Sequence, residues 1–173
     1  MTPQDIRSLI VDVPDFPKPG IVFKDITPLL ANPEGFRGTV ELLAEQCAGL
    51  GAAGILAIES RGFIFGAALA YEMQLPIHLV RKRGKLPRAA ISAAYQLEYG
   101  IDHLEMHGDA IVPEERYLIV DDVIATGGTA EAVVGLVREQ GASVAACVFV
   151  IELEFLNGRR KLEPNTVVSL IRY

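Results

Sequence analysis

The sequence predicts an α/β fold with a mostly parallel central sheet flanked by helices, and three observations lead there. Short, nearly continuous apolar runs recur as AAGILAIE (residues 52–59), LPIHLVRK, RYLIVDDV, SVAACVFVIEL and TVVSLIRY, as expected of strands covered on both faces. Helical stretches such as GFRGTVELLAEQCAGLG and ATGGTAEAVVGLVREQG lie between some of these runs, and crossovers of that kind make neighbouring strands parallel. No internal repeat or low-complexity linker divides the 173 residues, so one domain spanning 1–173 is expected.

In chain order, residues 3–10 have a weak helical pattern, and VDVPDFPKPG is too rich in proline to continue a helix. That stretch should run extended over the domain. IVFKDITPLLANP begins strand-like and ends on Asn32, a suitable cap in front of Pro33. The following helix is expected to close on Gly51. After the strand at 52–59, SRGFIFGAALAYEM reads as a turn feeding a helix. From Gly84 to Gly108 the chain is polar and only weakly alternating, which fits two short hairpin strands with a mobile connection. RYLIVDDV is a buried strand ending in two acids, and the helix after it should stop at Gly141.

Composition removes several function classes. With 16 Lys plus Arg against 22 Asp plus Glu, the net charge of −6 disfavours a general nucleic-acid binder. The start MTPQDIRSLI has no basic leader, and the apolar runs break well before 18 residues, so neither a signal peptide nor a membrane span is expected and the cytoplasm is the default location. Cys47 and Cys147 lack metal or redox spacing and read as small buried hydrophobes. His78, His103 and His107 form no zinc or triad pattern, and none is assigned a catalytic role.

The densest chemistry lies in LIVDDVIATGGTA, residues 118–130. In an open parallel sheet, ligands bind beyond the carboxyl ends of the strands, where Asp121 and Asp122 are delivered. Gly127 and Gly128 would let backbone approach an anion, Thr126 and Thr129 add hydroxyl donors, and a helix N-terminus favours phosphate. The loop lacks the GxxxxGK[ST] and GxGxxG patterns, so neither an ATP-hydrolysing loop nor a dinucleotide site is supported. Alternation along a strand points the two acids to opposite faces, so different tasks are expected of them. Ribose hydroxyls, or Mg²⁺ through its water shell, would suit carboxylate acceptors there. The bland alternative is a strand end and helix cap with Asp122 as a polar edge residue.

Two further clusters add cations. Glu59, Ser60, Arg61 and Gly62 follow a strand end, where an arginine fork suits pyrophosphate. Arg81, Lys82, Arg83, Lys85 and Arg88 concentrate five of the sixteen basic residues into eight positions, a local positive field within an acidic protein. Taken alone, either cluster could equally be a solvated surface loop.

Taken together, VDDVIATGGTA, PDFPKPGIVFKDITPLL, ESRGFIFG, VRKRGKLP and LEYG resemble the type I phosphoribosyltransferases, and in particular their adenine-using branch, over nearly the whole chain. The resemblance implies that family's fold, with a small hood at about residues 1–30 and a flexible loop at about 84–108. It implies transfer of a 5-phosphoribosyl group from phosphoribosyl pyrophosphate to N9 of adenine, giving AMP and pyrophosphate in purine salvage, with Mg²⁺ and as a homodimer. Ala125, Thr126, Gly127, Gly128 and Thr129 would bind the 5-phosphate. Asp121 and Asp122 would hold the ribose and help position the metal. Glu59, Ser60, Arg61, Arg81, Lys82 and Lys85 would meet the rest of the donor, with a cis peptide expected between Glu59 and Ser60. Arg61, Asp122 and Glu98 are the implied catalytic groups, Glu98 moving a proton at the base while Tyr99 seals the site. Val22, Phe23, Lys24 and Leu153 would enclose the adenine. Many family members carry Arg where this chain has Lys24, so a contact through a guanidinium is in question while backbone readout is not.

Three rivals remain at this point: a phosphoribosyltransferase for another nucleobase, a non-catalytic regulator sensing phosphoribosyl pyrophosphate, and a generic phosphosugar-binding module. The regulator would need an appended nucleic-acid-binding unit or a large basic face, and the sequence has neither.

Overall fold

The computed structural model describes residues 1–97 and 100–173. A short helix α1 (Pro3–Arg7), capped by Thr2, leads into the antiparallel pair β1 (Val11–Pro14) and β2 (Val22–Asp25). Helix α2 (Thr27–Ala31) follows, and Asn32 then caps α3 (Pro33–Cys47) by accepting the Gly35 N–H at 2.8 Å. Helix α3 stops at Cys47 instead of Gly51. Gly49 and Gly51 both take positive φ, +79° and +67°, so they shape the loop into the next strand and do not end the helix.

The sheet then alternates as expected: β3 (Gly54–Ile58), α4 (Gly62–Met73), β4 (Ile77–Lys82), β5 (Ala90–Leu97), β6 (Gly100–His107), β7 (Arg116–Ile124), α5 (Gly128–Glu139), β8 (Ser143–Glu152) and β9 (Val167–Arg172). Two 3₁₀ turns, Glu154–Leu156 and Gly158–Leu162, separate β8 from β9. The spatial order is β5-β6-β4-β3-β7-β8-β9. Strands β4, β3, β7, β8 and β9 run parallel, while β6 joins β4 antiparallel and β5 pairs with β6. The hairpin thus extends the central sheet, with strands of eight residues each, longer than the two short strands expected. Buried Leu104 and Met106 explain the attachment, because they give β6 an apolar face despite its polar composition.

Alternate residues of the central strands feed two separate cores. Ile55, Leu118, Val120 and Val148 pack with Leu43, Phe65 and Leu69 from α3 and α4. Leu56, Ile119, Cys147 and Phe149 pack with Val133 and Val137 from α5 and with Leu104 and Met106. Burial on both faces accounts for the unbroken apolar runs of the sequence. It also fixes where polar chemistry can sit: at the carboxyl ends of β3, β4 and β7, where the runs give way to Glu59, Arg81 and Asp121.

Candidate functional site

Strand β7 ends in a turn that reverses into α5. Gly127 caps this helix with φ +80°, a conformation open to glycine. The turn also rests on another backbone: a Cβ at Gly127 would overlap the Gly158 carbonyl, and a Cβ at Gly158 would overlap the Ala125 carbonyl and stand 2.8 Å from Gly127 N. Gly127 thus packs closely against Gly158 as well. Sequence reasoning missed Gly158, whose trace is a glycine in LNGRR that reads as an ordinary turn.

Above this turn Asp121, Val123, Ala125, Thr126, Gly127 and Thr129 line one cavity of about 180 Å³. Asp121 accepts the Asp122 N–H at 2.9 Å through Oδ1. Burial, and next the neighbouring charge of Asp122, push the Asp121 carboxyl well above the usual range. The Asp122 side chain is 5% exposed, and its Oδ2 has Arg61 Nη2 at 2.9 Å, a charge contact without an aligned hydrogen bond. Gly62, the next residue along, packs close to the other acid: a Cβ there would stand 2.8 Å from Asp121 Oδ1. The two carboxylates keep different company: Asp121 lines the cavity with Phe149, while Asp122 meets Arg61.

A second cavity of about 180 Å³ adjoins the first through Val123 and Ala125, which line both. Its remaining walls are Ile21, Val22, Phe23, Lys24, Arg61 and Leu153. All four residues expected to enclose a base are thus brought together; Ile21 and Val123 join them, unmarked among the apolar residues of the sequence. Phe16 packs edge-on against Phe23, with ring centroids 5.2 Å apart, and the Arg61 guanidinium lies over the Phe23 ring at 4.8 Å. Lys24 sends its ammonium to Asp12 Oδ1 at 2.6 Å and over the Tyr173 ring at 3.7 Å. Its charge is spent outside the cavity.

The cationic strand end is organised by Glu59. Arg81 donates to both Glu59 carboxylate oxygens, at 3.2 and 3.4 Å, and the Lys82 N–H donates at 3.0 Å. Burial opposes ionisation of Glu59, but the Lys82 N–H and Arg81 together hold its carboxyl below the usual range. Arg81 also donates to the Lys85 carbonyl at 3.2 Å. The peptide between Glu59 and Ser60 is cis, as the resemblance implied. Ser60, Lys82 and Lys85 are exposed. Lys85 and Arg81 open onto a neighbouring cleft with His78, Arg88 and Asp109, outside the two cavities. Glu98 and Tyr99 lie outside the described residues.

Mg²⁺ typically takes one or two carboxylates and completes its shell with water and phosphate oxygens. Asp121 and Asp122 fit that demand, and among the described residues no cluster of three or more His, Cys, Asp or Glu forms a protein cage for a metal. A carboxyl such as Asp121, reluctant to ionise beside Asp122, becomes a good acceptor once a cation stands near it.

Comparison with known proteins agrees with this geometry. Residues 29–171 match the model of the phosphoribosyl transferase domain. The adenine phosphoribosyltransferase of Carboxydothermus hydrogenoformans is 57% identical over 169 residues, covering 98% of this chain and 99% of that protein. The solved structure of the Thermoanaerobacter pseudethanolicus adenine phosphoribosyltransferase superposes with a TM-score of 0.97 at 46% identity, covering 99% of this chain and 100% of that one. The Saccharomyces cerevisiae enzyme, solved with an imino-altritol bisphosphate and adenine, gives a TM-score of 0.91 at 38% identity, covering 97% of each chain. These matches along nearly the full length lead to one conclusion: the chain belongs to the phosphoribosyl transferase family, among the adenine phosphoribosyltransferases.

Proposed function

We propose that this chain transfers the 5-phosphoribosyl group of phosphoribosyl pyrophosphate to N9 of adenine, releasing AMP and pyrophosphate in purine salvage. The observation that carries the proposal is the pair of adjoining cavities. One lies at the N-terminus of α5 and takes in Asp121, Thr126, Gly127 and Thr129, the other is walled by Phe23, Leu153 and Val22, and they meet at Val123 and Ala125. At about 180 Å³ the apolar one is below the roughly 300–1,000 Å³ typical of sites for larger ligands and suits a single flat ring system.

Ala125 to Thr129 hold the 5-phosphate, and Asp121 and Asp122 accept from the ribose hydroxyls. Arg61, Ser60, Arg81, Lys82 and Lys85 meet the pyrophosphate, with Glu59 acting through Arg81 and Lys82, which it orients. Phe23 and Leu153 stack the base while the backbone at Val22 and Lys24 reads its edge. Glu98 handles the proton at the base, and Tyr99 closes over it. Held this way, N9 and C1 are brought within reach of each other, and cationic side chains stabilise the departing pyrophosphate without a covalent nucleophile. Bound Mg²⁺ at Asp121 and Asp122 would neutralise pyrophosphate charge. Excluding water protects an oxocarbenium-like ribosyl centre from hydrolysis.

The chain acts as a homodimer in this proposal. Supporting it, α4 and β4 expose Ile64, Tyr71, Ile77 and Leu79, and a concavity of about 660 Å³ runs between Ala67, Tyr71 and Ile77. A cytoplasmic location accords with two buried free thiols and with the absence, among the described residues, of a helix long and apolar enough to cross a membrane.

The deciding experiment offers phosphoribosyl pyrophosphate and Mg²⁺ with each free base in turn. AMP from adenine is expected, with guanine, hypoxanthine, xanthine and pyrimidines turned over poorly; no AMP would overturn the proposal. In the same assay Lys82→Met is expected to raise KM for the donor about tenfold, the loss of one charge-assisted contact, while the ranking of the bases stays unchanged.

A further inference from the structure

We infer that Tyr173 is the positioning residue of the base cavity, joining its two walls through one side chain and two backbone hydrogen bonds. The inference rests on the base-binding reading of that cavity given above and goes beyond it in naming what sets its width.

The wall carrying Leu153 is fixed by Tyr173 from both sides in sequence. The Tyr173 N–H donates to the Glu152 carbonyl at 3.0 Å, and the Glu154 N–H donates to the Tyr173 main-chain oxygen at 2.9 Å. Leu153, between these two partners, donates its own N–H to the Ile124 carbonyl at 3.0 Å. The opposite wall belongs to β2, in the antiparallel β1–β2 pair at the edge of the fold. A two-stranded ribbon is marginal on its own and needs packing to hold its place.

The Tyr173 ring supplies such packing through a cation. Lys24 Nζ lies 3.7 Å from the ring centroid and 2.6 Å from Asp12 Oδ1, so the ammonium is held between an aromatic face and a carboxylate. The Lys24 side chain is 11% exposed, which removes much of the water that would weaken the contact. The Arg7 guanidinium also lies over the ring, at 4.3 Å, and donates to the Arg172 carbonyl at 3.1 Å, tying the ring's surroundings to β9. Lys24 itself lines the base cavity next to Phe23. One residue therefore holds the two neighbours of Leu153 through its backbone and Lys24 through its ring, and neither contact enters the cavity. The same arrangement gives lysine at position 24 a use distinct from base contact: its charge anchors the strand whose backbone faces the ligand.

The test compares Tyr173→Leu and Tyr173→Phe with the unaltered protein, under saturating donor and then under saturating base, using the base the unaltered protein turns over. Loss of the aromatic platform is expected to raise KM for the base about tenfold, the scale of one partly desolvated cation–ring contact. KM for phosphoribosyl pyrophosphate should stay within about twofold, and phenylalanine should restore the unaltered values because the ring, and not the hydroxyl, holds Lys24. Lys24→Met should raise KM for the base as Tyr173→Leu does, and the double variant should be no worse than either single one. If the leucine variant does not fold, Lys24→Met alone carries the same expectation for the two KM values. A parallel rise in both KM values, an unchanged KM for the base, a phenylalanine variant as impaired as the leucine one, or additive single effects would each overturn the inference. Absence of turnover with any base in the unaltered protein would instead sink the functional reading on which it stands.

Discussion

Replacing Gly158 with alanine is expected to lower kcat/KM for phosphoribosyl pyrophosphate by about 100-fold, a typical penalty for displacing a binding element by roughly 1 Å. Gly158 touches no ligand in the proposed site. Its added Cβ would overlap the Ala125 carbonyl oxygen and stand 2.8 Å from Gly127 N and 3.0 Å from Thr126 C. All three are backbone atoms of the phosphate turn, so no flexible side chain can swing aside. The turn has to lift away from the 3₁₀ segment, moving the N–H groups proposed to meet the 5-phosphate. Overpacking of this kind also costs about 1–3 kcal/mol of stability, readable as a lowered Tm. Gly135, in the middle of α5, has nothing within 4 Å of a would-be Cβ. Alanine there should be neutral or stabilise by up to ~1 kcal/mol with donor kinetics intact. Equal donor kinetics for the Gly158 and Gly135 variants would disprove the proposed coupling between the 3₁₀ segment and the turn.

Legibility in the sequence followed the physical range of each interaction. Asn32 as a cap, Gly127 at a strand-to-helix turn and the apolar runs of β3, β7 and β8 are local features, so a short window contains their causes. The attachment of the hairpin to the sheet was not visible, because it depends on Leu104 and Met106 meeting a core built from β7, β8 and α5. The grouping of Val22, Phe23, Lys24 and Leu153 was anticipated through resemblance, whereas Ile21 and Val123 in the same cavity carry no mark that separates them from core residues. Gly158, Glu152 and Tyr173 went unnoticed for a shared reason. Each acts on a partner made elsewhere in the chain, and only the folded backbone shows that the segment after β8 lies beneath both cavities. Glu59 shows in the same way a contact that the sequence did not mark, as the acceptor for Arg81 and for the Lys82 N–H.

Glu152→Gln should destabilise the protein and loosen the same phosphate turn from behind. The Glu152 side chain is 6% exposed and receives Arg159 on both oxygens, with the Nε contact at 2.9 Å, while the Ser169 hydroxyl donates to Oε2. Arg159 also donates to the Val167 carbonyl at 2.9 Å and is the immediate neighbour of Gly158. The glutamine amide keeps one acceptor but turns an N–H₂ group toward a guanidinium that has only donors to offer. Breaking a fully buried pair costs roughly 3–5 kcal/mol; with Arg159 36% exposed and partly solvated, about 2–3 kcal/mol is expected. For a chain of this length that is a fall in Tm of roughly 4–12 °C. The pH dependence separates this cause from a packing defect. The Arg159 hydrogen bonds, outweighing burial and aided by Ser169, hold the Glu152 carboxyl below its ordinary value of 4.5. A carboxyl lowered by folding adds stability that is complete above the unfolded value and is lost as pH falls through the folded one. Stability of the unaltered protein should therefore drop below about pH 4.5, and the glutamine variant, already without this charge, should lose less over the same interval. Parallel acid-denaturation curves for the two proteins would show that Glu152 does not hold the 3₁₀ segment by its charge. A matching rise in donor KM, largest for the glutamine variant near neutral pH where the pair is fully ionised in the unaltered protein, would tie the clamp to the phosphate turn.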